Sequence, residues 1–386
     1  MPNSNIHHIA LNLPVSWHLT LSVIRGVADV ISQRPAYRLL LQNGHATVDW
    51  EVILERRPEI VICALQNPGD LEKVARVEGV VVNVSEIFSV EHIPSVLVDN
   101  AACGALVGRH LLGAGLRHFG YIGFGPHVNS QKRGQGFFSV LPEDIDAESN
   151  TLALPIEAWL DWEQMKQTMK NWARKRPRPS GVYVSSDTLA RAFIEAVHEL
   201  GLRIPHDFSV VGTGNYDLDT RITVPHLSSV SLNWEQAGQR AALKAIRLFE
   251  GHPEPPLTRI PPLPVTIRES SDYFHSEDPV VAKALRYIKD HHLEELQVGD
   301  IAEAAGASRR VLEKRFRAAM SEPVYAYVTD IRLRRAKTML VETEDTVDEV
   351  ARACGFGEAR YLSVALRRET GLTPAAFRKK LRTRRG

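Results

Sequence analysis

The sequence predicts two domains of different fold class: an α/β front domain at residues 1–271 and an all-α tail domain at residues 279–386, with a linker at 272–278. Two observations support this prediction. In the front domain, short apolar stretches alternate with longer amphipathic ones, which is typical of parallel sheets connected by helices. In the tail domain, apolar residues recur at helical spacing, and one two-helix pattern occurs twice.

Strands of the front domain are predicted wherever an apolar run lies between turn residues, namely at 7–13, 37–41, 59–65, 79–84, 95–100, 119–124, 181–186 and 208–214. Apolar residues at helical spacing predict helices at 17–31, 49–56, 187–200 and 234–250, and another that ends near residue 112. The proline-rich stretch 252–271 is predicted to end in a further strand and to close the domain. The acidic stretch 141–150 is predicted to be a surface loop.

The tail domain is predicted to contain two helix-turn-helix units, at 296–320 and 346–371. In each unit, a short helix with one apolar stripe precedes a glycine, Gly306 or Gly355, which permits the positive φ of a tight turn. The second helix of each unit then has two apolar residues one turn apart. These pairs are Leu312 with Phe316 and Leu362 with Leu366. Several polar and basic residues of the second helices are left to face a partner; they are Arg309, Arg310, Glu313, Lys314, Arg360, Tyr361 and Ser363.

Capping residues support the helix boundaries in the tail domain. Thr346 and Glu349 have capping-box spacing, Ser308 precedes the second helix of the first unit, and Thr373 precedes Pro374. A predicted helix at 323–340 connects the two units and spans roughly 25 Å at 1.5 Å per residue. Such a spacer could hold the two second helices in neighbouring turns of one DNA major groove, roughly 34 Å apart.

The motifs of the second unit are specific enough to indicate a family. Gly355-Phe356 followed by Leu362, and then ETG-x-TP-x(2)-FR at 369–378, resemble the signature of the AraC/XylS family of transcription regulators over about residues 279–385. The resemblance implies sequence-specific binding to double-stranded DNA, with Arg310, Glu313 and Lys314 of the first unit facing base edges. In the second unit the corresponding residues are Arg360, Tyr361 and Ser363, while Val364 stands where relatives often carry a basic residue. The alternative interpretation is a helical bundle with solvated basic faces.

Several motifs of the front domain, in their order and spacing, resemble the LacI/GalR type of sugar-responsive domain, which is akin to periplasmic binding proteins. They are VDN-x(9)-HLL-x-AG from Val98, KR-x(2)-GF from Lys132, GVYVSSDTLA from Gly181, GLRIPHDFSVVG from Gly201 and PHLSSVSLNWEQAGQRAA from Pro225. The resemblance implies two α/β lobes joined by three crossovers. It also implies a small effector in the interlobe cleft, a sugar that is xylose-like or related.

Arg133 and Asp187 are the first two candidate ligand residues. Arg133 matches an arginine that donates hydrogen bonds to sugar hydroxyls in such domains, and its planar group of five donors suits that role. The alternative for Arg133 is a surface ion pair. Asp187 follows a strand and could accept hydrogen bonds from adjacent hydroxyls. The alternative for Asp187 is the N-cap of the next helix, and one residue could serve as both.

Two tryptophans and an asparagine complete the candidate ligand site. Trp234 matches a cleft aromatic that could stack on a pyranose, and Trp17 lies just past the first strand, where these domains often place an aromatic. Either tryptophan could instead belong to the core. Gly214 stands where many relatives carry an aspartate, so a sugar-binding carboxylate is missing. Asn215 could supply a neutral hydrogen-bonding group in its place.

Charge is distributed unevenly along the chain. The formal net charge is +1, but residues 279–386 carry 22 Lys and Arg against 15 Asp and Glu, and the remainder carries 25 against 31. A basic tail domain on a mildly acidic front domain is typical of a protein that binds nucleic acid at one end. This asymmetry favours an operator duplex as one partner. With the family resemblances taken into account, the expected partners also include the effector and a second copy of the chain in a homodimer, with RNA polymerase as a further candidate.

The cysteines and the N-terminus bear on the compartment. The chain has three cysteines, Cys63, Cys103 and Cys354, and they lack the spacing of metal ligands. Since their number is also odd, neither a metal site nor a disulfide is expected. Cys354 is predicted to be a small core residue. A signal peptide and a membrane span are not predicted, which favours the cytoplasm. No cofactor is expected.

Two other classes of protein remain open at this stage. A pure solute-binding protein would use the front domain alone, and the basic tail domain counts against it. An enzyme acting on sugars would need catalytic groups in the α/β domain, and the sequence has no P-loop, HExxH or GxSxG motif. Gly123-Phe124-Gly125 after a strand is only a partial dinucleotide loop.

Overall fold

The structure is a computed structural model that describes residues 6–14, 18–42, 46–114, 116–205, 207–272, 276, 278–294, 296–320 and 322–382. Contacts divide the chain into two compact units, residues 1–273 and 274–386, so the division falls within the predicted linker. None of the helices in these ranges is long and apolar enough to cross a membrane. All three cysteine side chains are buried and carry free thiols.

The first lobe of the front domain is a six-stranded sheet in which every pairing is parallel, in the order β11-β5-β4-β3-β1-β2. Its strands are β1 His7–Asn12, β2 Tyr37–Leu39, β3 Ile60–Cys63, β4 Val80–Asn83, β5 Ser95–Val98 and β11 Leu257–Ile260. Its helices are α1 His18–Ser32, α2 Trp50–Arg56, α3 Gly69–Val74 and α9 Trp234–Phe249. The inner strands β1, β3, β4 and β5 supply buried residues to the core, as expected for parallel strands covered on both faces, whereas the edge strands β2 and β11 are partly exposed.

The second lobe repeats this plan, with strands in the order β12-β10-β9-β8-β6-β7 and only β12 antiparallel to its neighbour. Its strands are β6 His118–Phe124, β7 Thr151–Leu154, β8 Ser180–Val184, β9 Phe208–Thr213, β10 Ser228–Val230 and β12 Val265–Thr266. Its helices are α4 Asn100–Gly113, α5 Val128–Phe138, α6 Trp162–Arg174, α7 Asp187–Glu199 and α8 Asp217–Ile222, with a 3-10 helix at Ile156–Leu160.

The chain crosses between the two lobes three times: from β5 to α4, from β10 to α9 and from β11 to β12. The predicted two-lobed fold with three crossovers is therefore confirmed. Every strand and helix predicted for the front domain is present, with ends that differ by a few residues. The elements that were not predicted include α5, β7 and α6. The α5 sequence VNSQKRGQGFF is mostly polar with two glycines, so it lacks the apolar stripe that marks an amphipathic helix.

Over its described residues the tail domain is helical, with α10 Pro279–His291, α11 Val298–Ala304, α12 Arg309–Met320, α13 Val324–Glu342, α14 Val347–Ala353, α15 Ala359–Thr370 and α16 Pro374–Arg382. One core forms among α10, α11, α12 and the start of α13, and a second among the end of α13, α14, α15 and α16. The predicted buried pairs of α12 and α15 lie in these cores. The two helix-turn-helix units are thus confirmed, each with its own core.

The predicted caps of the tail domain are also present. The backbone N–H of Thr346 donates to the Glu349 carboxylate at 2.7 Å, and the N–H of Glu349 donates back to Thr346 Oγ1 at 3.3 Å, which is the predicted capping box. Ser308 Oγ accepts from the N–H of Val311 at 3.4 Å, and Thr373 Oγ1 accepts from the N–H of Ala376 at 3.3 Å. These contacts set where α12, α14 and α16 begin.

Candidate functional site

The carboxyl ends of β8, β9 and β10 meet at one edge of the second lobe, and Asp187 lies at the centre of this edge. In parallel α/β folds this edge is where ligands bind. Asp187 is fully buried at the first position of α7. Its Oδ1 accepts from Ser229 Oγ at 2.5 Å, and its Oδ2 accepts from the backbone N–H of Tyr216 at 2.9 Å. The carboxylate therefore orients two neighbours of the edge.

Asp187 is not the N-cap of α7, so that alternative was wrong. The cap is Ser186, whose Oγ accepts from the N–H of Leu189 at 3.2 Å. Burial raises the pKa of Asp187 to about 6, and hydrogen bonds from Ser229 and Tyr216 only partly offset that rise. The carboxyl group is thus poised to titrate near neutral pH.

Asn215 lies beside Asp187 at the same edge, in the left-handed region with φ 56°. Its backbone N–H donates to Ser229 Oγ at 2.9 Å, and its Oδ1 accepts from Arg268 Nη2 at 2.9 Å. Its Nδ2 donates to Thr266 Oγ1 at 3.3 Å. The side chain predicted to replace the missing carboxylate therefore ties the end of β9 to the strand that closes the lobe.

The position of the Tyr216 ring gives a steric reason for the absence of an aspartate at position 214. Gly214 has φ 126°, and a Cβ added there would lie 2.4 Å from Cε2 of the Tyr216 ring. The ring therefore fills the volume that a side chain at 214 would need. Burial raises the pKa of Tyr216 well above its ordinary value, and the negative charge of Asp187 adds to that rise. Sequence reasoning missed Tyr216, although its place two residues past Gly214 was a usable signal.

Trp234 is half-buried and begins α9, directly after the second crossover. It lies close enough to the Tyr216 hydroxyl to lower the pKa of that group. Its buried Nε1 has no acceptor in full hydrogen-bond geometry among the residues that the structure describes. Trp17, the other candidate aromatic, lies outside the described residues.

Arg133 is buried in α5 and points into the interface with α4. Its Nε donates to Asn100 Oδ1 at 2.9 Å, and its Nη1 donates to the carbonyl of Ser185 at 2.6 Å. These acceptors are neutral, so the alternative of a surface ion pair was wrong. Glycines allow the close approach of the two helices: a Cβ on Gly104 would lie 1.9 Å from the carbonyl oxygen of Arg133. Within the described residues, Nη2 of Arg133 has no acceptor in hydrogen-bond geometry and can still donate.

Glu86 of the first lobe is connected to Arg133 of the second lobe through Asn100. Glu86 follows β4 in the first lobe and is 8% exposed. Its carboxylate accepts from Asn100 Nδ2 at 2.8 Å, from Lys132 Nζ at 2.6 Å and from both terminal nitrogens of Arg259 at 2.7 and 2.9 Å. Burial opposes its charge, but these hydrogen bonds outweigh that effect and lower the pKa of Glu86. Lys132 lies in α5 of the second lobe, so Glu86 joins the two lobes. Its separation from these residues in sequence hid this role.

The first recognition helix, α12, presents the predicted residues on its outer face. Arg309, Arg310 and Lys314 are exposed, and Glu313 is half-buried. An open groove of about 670 Å³ runs beside this face; its lining residues are Glu313, Lys314, Arg317, Ala318 and Pro323. Mixed charges along an exposed helix could hydrogen bond to base edges and phosphates.

The second recognition helix, α15, presents a different surface. Arg360 Nε lies 3.0 Å from a carboxylate oxygen of Glu358, and the guanidinium stacks 4.7 Å above the centre of the Tyr361 ring. Tyr361 is 50% exposed and Val364 is 69% exposed. Ser363 is half-buried, so it lies at the margin of this face and not at its centre.

Arg332 of α13 holds the second unit against the first. Its Nε donates to the carbonyl of His292 at 2.6 Å and its Nη2 to the carbonyl of Glu294 at 2.7 Å, just past the end of α10. Gly355 approaches the same place: a Cβ added there would lie 2.6 Å from the His292 carbonyl oxygen. At the other end of α13, Arg378 Nε donates to the carbonyl of Leu340 at 2.9 Å. The two recognition helices are therefore fixed through one scaffold helix.

Two family models match the chain. A periplasmic binding protein-like domain matches residues 109–271, and a helix-turn-helix domain matches residues 301–380. Together with the two lobes and the paired helical units, these matches define the class: a periplasmic-binding-protein-like α/β domain followed by a helix-turn-helix tail. The matches confirm the predicted periplasmic-binding-protein-like domain and the predicted helix-turn-helix tail.

Comparison with individual proteins gives a more specific likeness. The chain is similar to the Xylose operon regulatory protein of Escherichia coli K12, at 30% identity over 220 residues, which is 56% of this chain and 56% of that protein. The corresponding protein of Haemophilus influenzae is 27% identical over 294 residues, 74% of this chain and 75% of its own length. A solved xylose-binding transcription activator shares the fold with a TM-score of 0.62 at 22% identity, over 97% of this chain and 98% of that one. The alignment with the first relative spans little more than half of that relative's length.

Proposed function

We propose that the chain is a sequence-specific, DNA-binding transcription regulator that responds to a small ligand, a sugar of the xylose type or a related one. The observation that carries the proposal is the repeated helix-turn-helix unit. Two separate cores present two recognition helices with exposed outer faces from one scaffold helix. The proposal agrees with the names of the similar proteins, which are two regulators of a xylose operon and a xylose-binding activator.

The tail domain would place α12 and α15 in successive segments of the major groove. Arg309, Arg310, Glu313 and Lys314 of α12 are the proposed contacts in the first segment, because arginine can bind guanine through two hydrogen bonds and glutamate can accept from cytosine. Arg360, Tyr361 and Ser363 are the proposed contacts of α15. Operators with two half-sites favour a homodimer. The protein would act in the cytoplasm, with RNA polymerase as a candidate partner.

In the front domain, the ligand would bind at the carboxyl edge of the second lobe. Arg133 would offer its remaining donor, and Trp234 and Tyr216 would supply apolar and aromatic surface. Asp187 and Asn215 would position these groups, since their side-chain oxygens already accept hydrogen bonds within the lobe. A ligand that binds the closed lobes better than the open ones would shift the equilibrium toward closure. We propose that Asp187 has a positioning role and not a catalytic one, because both of its oxygens already accept hydrogen bonds within the lobe.

A selection experiment tests the DNA-binding part. The full chain is incubated with a random duplex library, and bound duplexes are recovered over several rounds. One enriched sequence is expected, and Arg310→Ala should weaken its binding by about 1–3 kcal/mol in a gel-shift titration. Arg203→Ala, at an exposed arginine of the front domain, is the control. If no sequence is enriched over random duplex, the proposed function is wrong.

A thermal-shift screen of pentoses and hexoses tests the ligand part. A sugar present at a hundredfold excess over its dissociation constant should stabilise the front domain by roughly 2.7 kcal/mol. That sugar should also change the affinity for the selected duplex. Arg133→Ala should abolish the shift, while Arg203→Ala should leave it unchanged. If no sugar alters either the melting temperature or DNA binding, the sensor role is contradicted.

A further inference from the structure

We propose that the two recognition helices identify DNA by different chemistries: α12 by hydrogen bonds and charge, and α15 by apolar contact between Val364 and the 5-methyl group of thymine. This inference rests on the proposed function, and it names which feature of the duplex the second unit recognises.

The two helices can be compared residue by residue within this one chain. Leu312 and Phe316 of α12 are fully buried, and so are Leu362 and Leu366 of α15. Since both pairs have the same spacing, they fix a common register in which each residue of α12 corresponds to the residue 50 positions later in α15. Lys314 therefore corresponds to Val364.

In that register the two outer faces differ in chemistry. The exposed position at the centre of the face is a cation, Lys314, in α12, and a branched apolar side chain, Val364, in α15. Val364 is 69% exposed. The neighbouring cation of α15, Arg360, is paired with Glu358 and lies over the Tyr361 ring, so its charge is partly balanced. Tyr361 and Val364 add exposed aromatic and apolar surface to the first two turns of α15.

An exposed valine is ordinary on a protein surface, so its exposure alone indicates nothing. The position of Val364 is informative, because this face of α15 would dock into the major groove. A valine against a phosphate or a base amide would leave that polar group desolvated and unpaired, which is costly. The thymine 5-methyl group is the apolar feature that the major groove presents, and side-chain methyl groups pack against it. The charged residues Arg367 and Arg368 follow further along α15, where they can contact phosphates.

The test uses the full chain and the enriched duplex from the selection described above. Thymines are replaced by deoxyuridine, which lacks only the 5-methyl group, in one half of the site at a time. In the half bound by α15, replacement at the contacted thymine should weaken binding roughly three- to fivefold, as expected for burying one methyl group. Val364→Ala should weaken binding to the thymine duplex by a similar factor, and its affinity should no longer respond to the replacement.

Val224→Ala is the matched control, since Val224 is a 76% exposed valine of the front domain. This variant should bind like the wild type and keep the response to deoxyuridine. Equal responses to deoxyuridine in the wild type and Val364→Ala would overturn the inference while leaving the proposed function intact. A Val364→Ala protein that binds DNA normally but fails to activate transcription would also overturn it, because that result would make Val364 a contact for protein. Failure to enrich any sequence would contradict both proposals.

Discussion

Asp187 shows how one buried residue can organise an edge of a sheet. Both of its oxygens accept hydrogen bonds, from the Ser229 hydroxyl and the Tyr216 backbone, and these two groups in turn lie next to Asn215 and Trp234. A fully buried carboxylate is costly to charge. The stability of the front domain should therefore depend on the protonation of this single group.

The first prediction concerns the pH dependence that Asp187 causes. Its pKa is raised from 3.8 to about 6 by burial, so between these values the folded state keeps a proton that the unfolded chain has lost. The free energy of unfolding should therefore fall as pH rises from about 4 to about 6. At roughly 1.4 kcal/mol per pKa unit, the total is about 2–3 kcal/mol.

Asp187→Asn cannot titrate and should lack this slope. Urea unfolding at several pH values should show the variant gaining about 2–3 kcal/mol relative to the wild type between pH 4 and pH 7. Asp144→Asn, at an exposed carboxylate in the loop after α5, is the control and should follow the wild type. A difference between Asp187→Asn and the wild type that stays constant with pH would contradict the assignment.

Individual residues also show what could be predicted from sequence. Arg133 and Asp187 could be proposed from the sequence because they lie in local motifs. The exposed positions of the recognition helices could be predicted because helical spacing separates exposed from buried residues. Tyr216 was missed although it lies only two residues from Gly214, whereas Glu86 was missed because its role arises from contacts with residues distant in sequence. Glu86, for example, meets Arg259 across 173 positions. No local pattern encodes such a contact.

At the scale of elements, the same distinction separates the predicted helices from the missed ones. The helices of the two helix-turn-helix units carry apolar stripes, so their spacing predicts them within a few residues. The helix α10 was not predicted. The helix α5 lacks such a stripe, because one of its faces packs closely through Gly104 and Gly136 against α4. The helix α5 is stabilised by this packing against α4, and the sequence of α5 alone does not predict that contact.

The second prediction concerns the turn between α14 and α15. Gly355 has φ 76°, and a Cβ there would lie 2.6 Å from the His292 carbonyl oxygen. Gly355→Ala should therefore lower the free energy of unfolding by roughly 2–4 kcal/mol, because alanine disfavours the left-handed backbone and its Cβ must displace the carbonyl. Gly306 is the matched control: it has φ 66° in the equivalent turn, with no described atom within 4 Å of an added Cβ.

Gly306→Ala should thus cost only the backbone part, about 1–2 kcal/mol. Hydrogen exchange of the tail amides measures both variants in the full chain. Equal losses of protection in the two variants would show that the approach to His292 is not restrictive.

The third prediction concerns the connection between the lobes. Glu86→Gln keeps the shape of the side chain but removes the negative charge that pairs with both Lys132 and Arg259. Since these cations are 36% and 33% exposed, the loss is discounted from that of a fully buried pair to about 1–3 kcal/mol. The pKa of Glu86 is lowered in the folded state, so its contribution is present above the ordinary carboxylate range and is lost as pH falls through the lowered value.

Differential scanning calorimetry at pH 7 measures this loss. Glu91→Gln, at a carboxylate whose side chain is 85% exposed, is the control and should melt like the wild type. Because Asn100 links Glu86 to Arg133, Glu86→Gln should also weaken binding of any sugar found in the thermal-shift screen. Unchanged melting of Glu86→Gln would show that solvent compensates for the lost carboxylate.

At the scale of the whole molecule, the charge asymmetry indicates that the tail domain, and not the front domain, contacts the phosphates of DNA. The near-neutral total hides an excess of seven positive charges in residues 279–386 and of six negative charges in the rest. A compact basic region attracts phosphates, and each phosphate contact releases counterions from the duplex. An acidic front domain gains nothing from DNA, so affinity for random duplex should depend on the tail domain alone.

The fourth prediction follows from this asymmetry and concerns salt. The logarithm of the affinity for random duplex should fall linearly with the logarithm of salt concentration, with a slope of about −0.9 per phosphate contacted. Replacing Arg367 and Arg368 together by glutamine should make the slope less steep by about two, because both side chains are exposed beyond the proposed base contacts of α15. Replacing Arg203 and Arg221 of the front domain, whose side chains are 73% and 65% exposed, removes the same charge from the whole chain and should leave the slope unchanged. Fluorescence anisotropy of the full chain on a labelled random duplex measures all three proteins. If the front-domain pair changes the slope as much as the tail pair does, net charge governs binding and the tail domain has no special role in it.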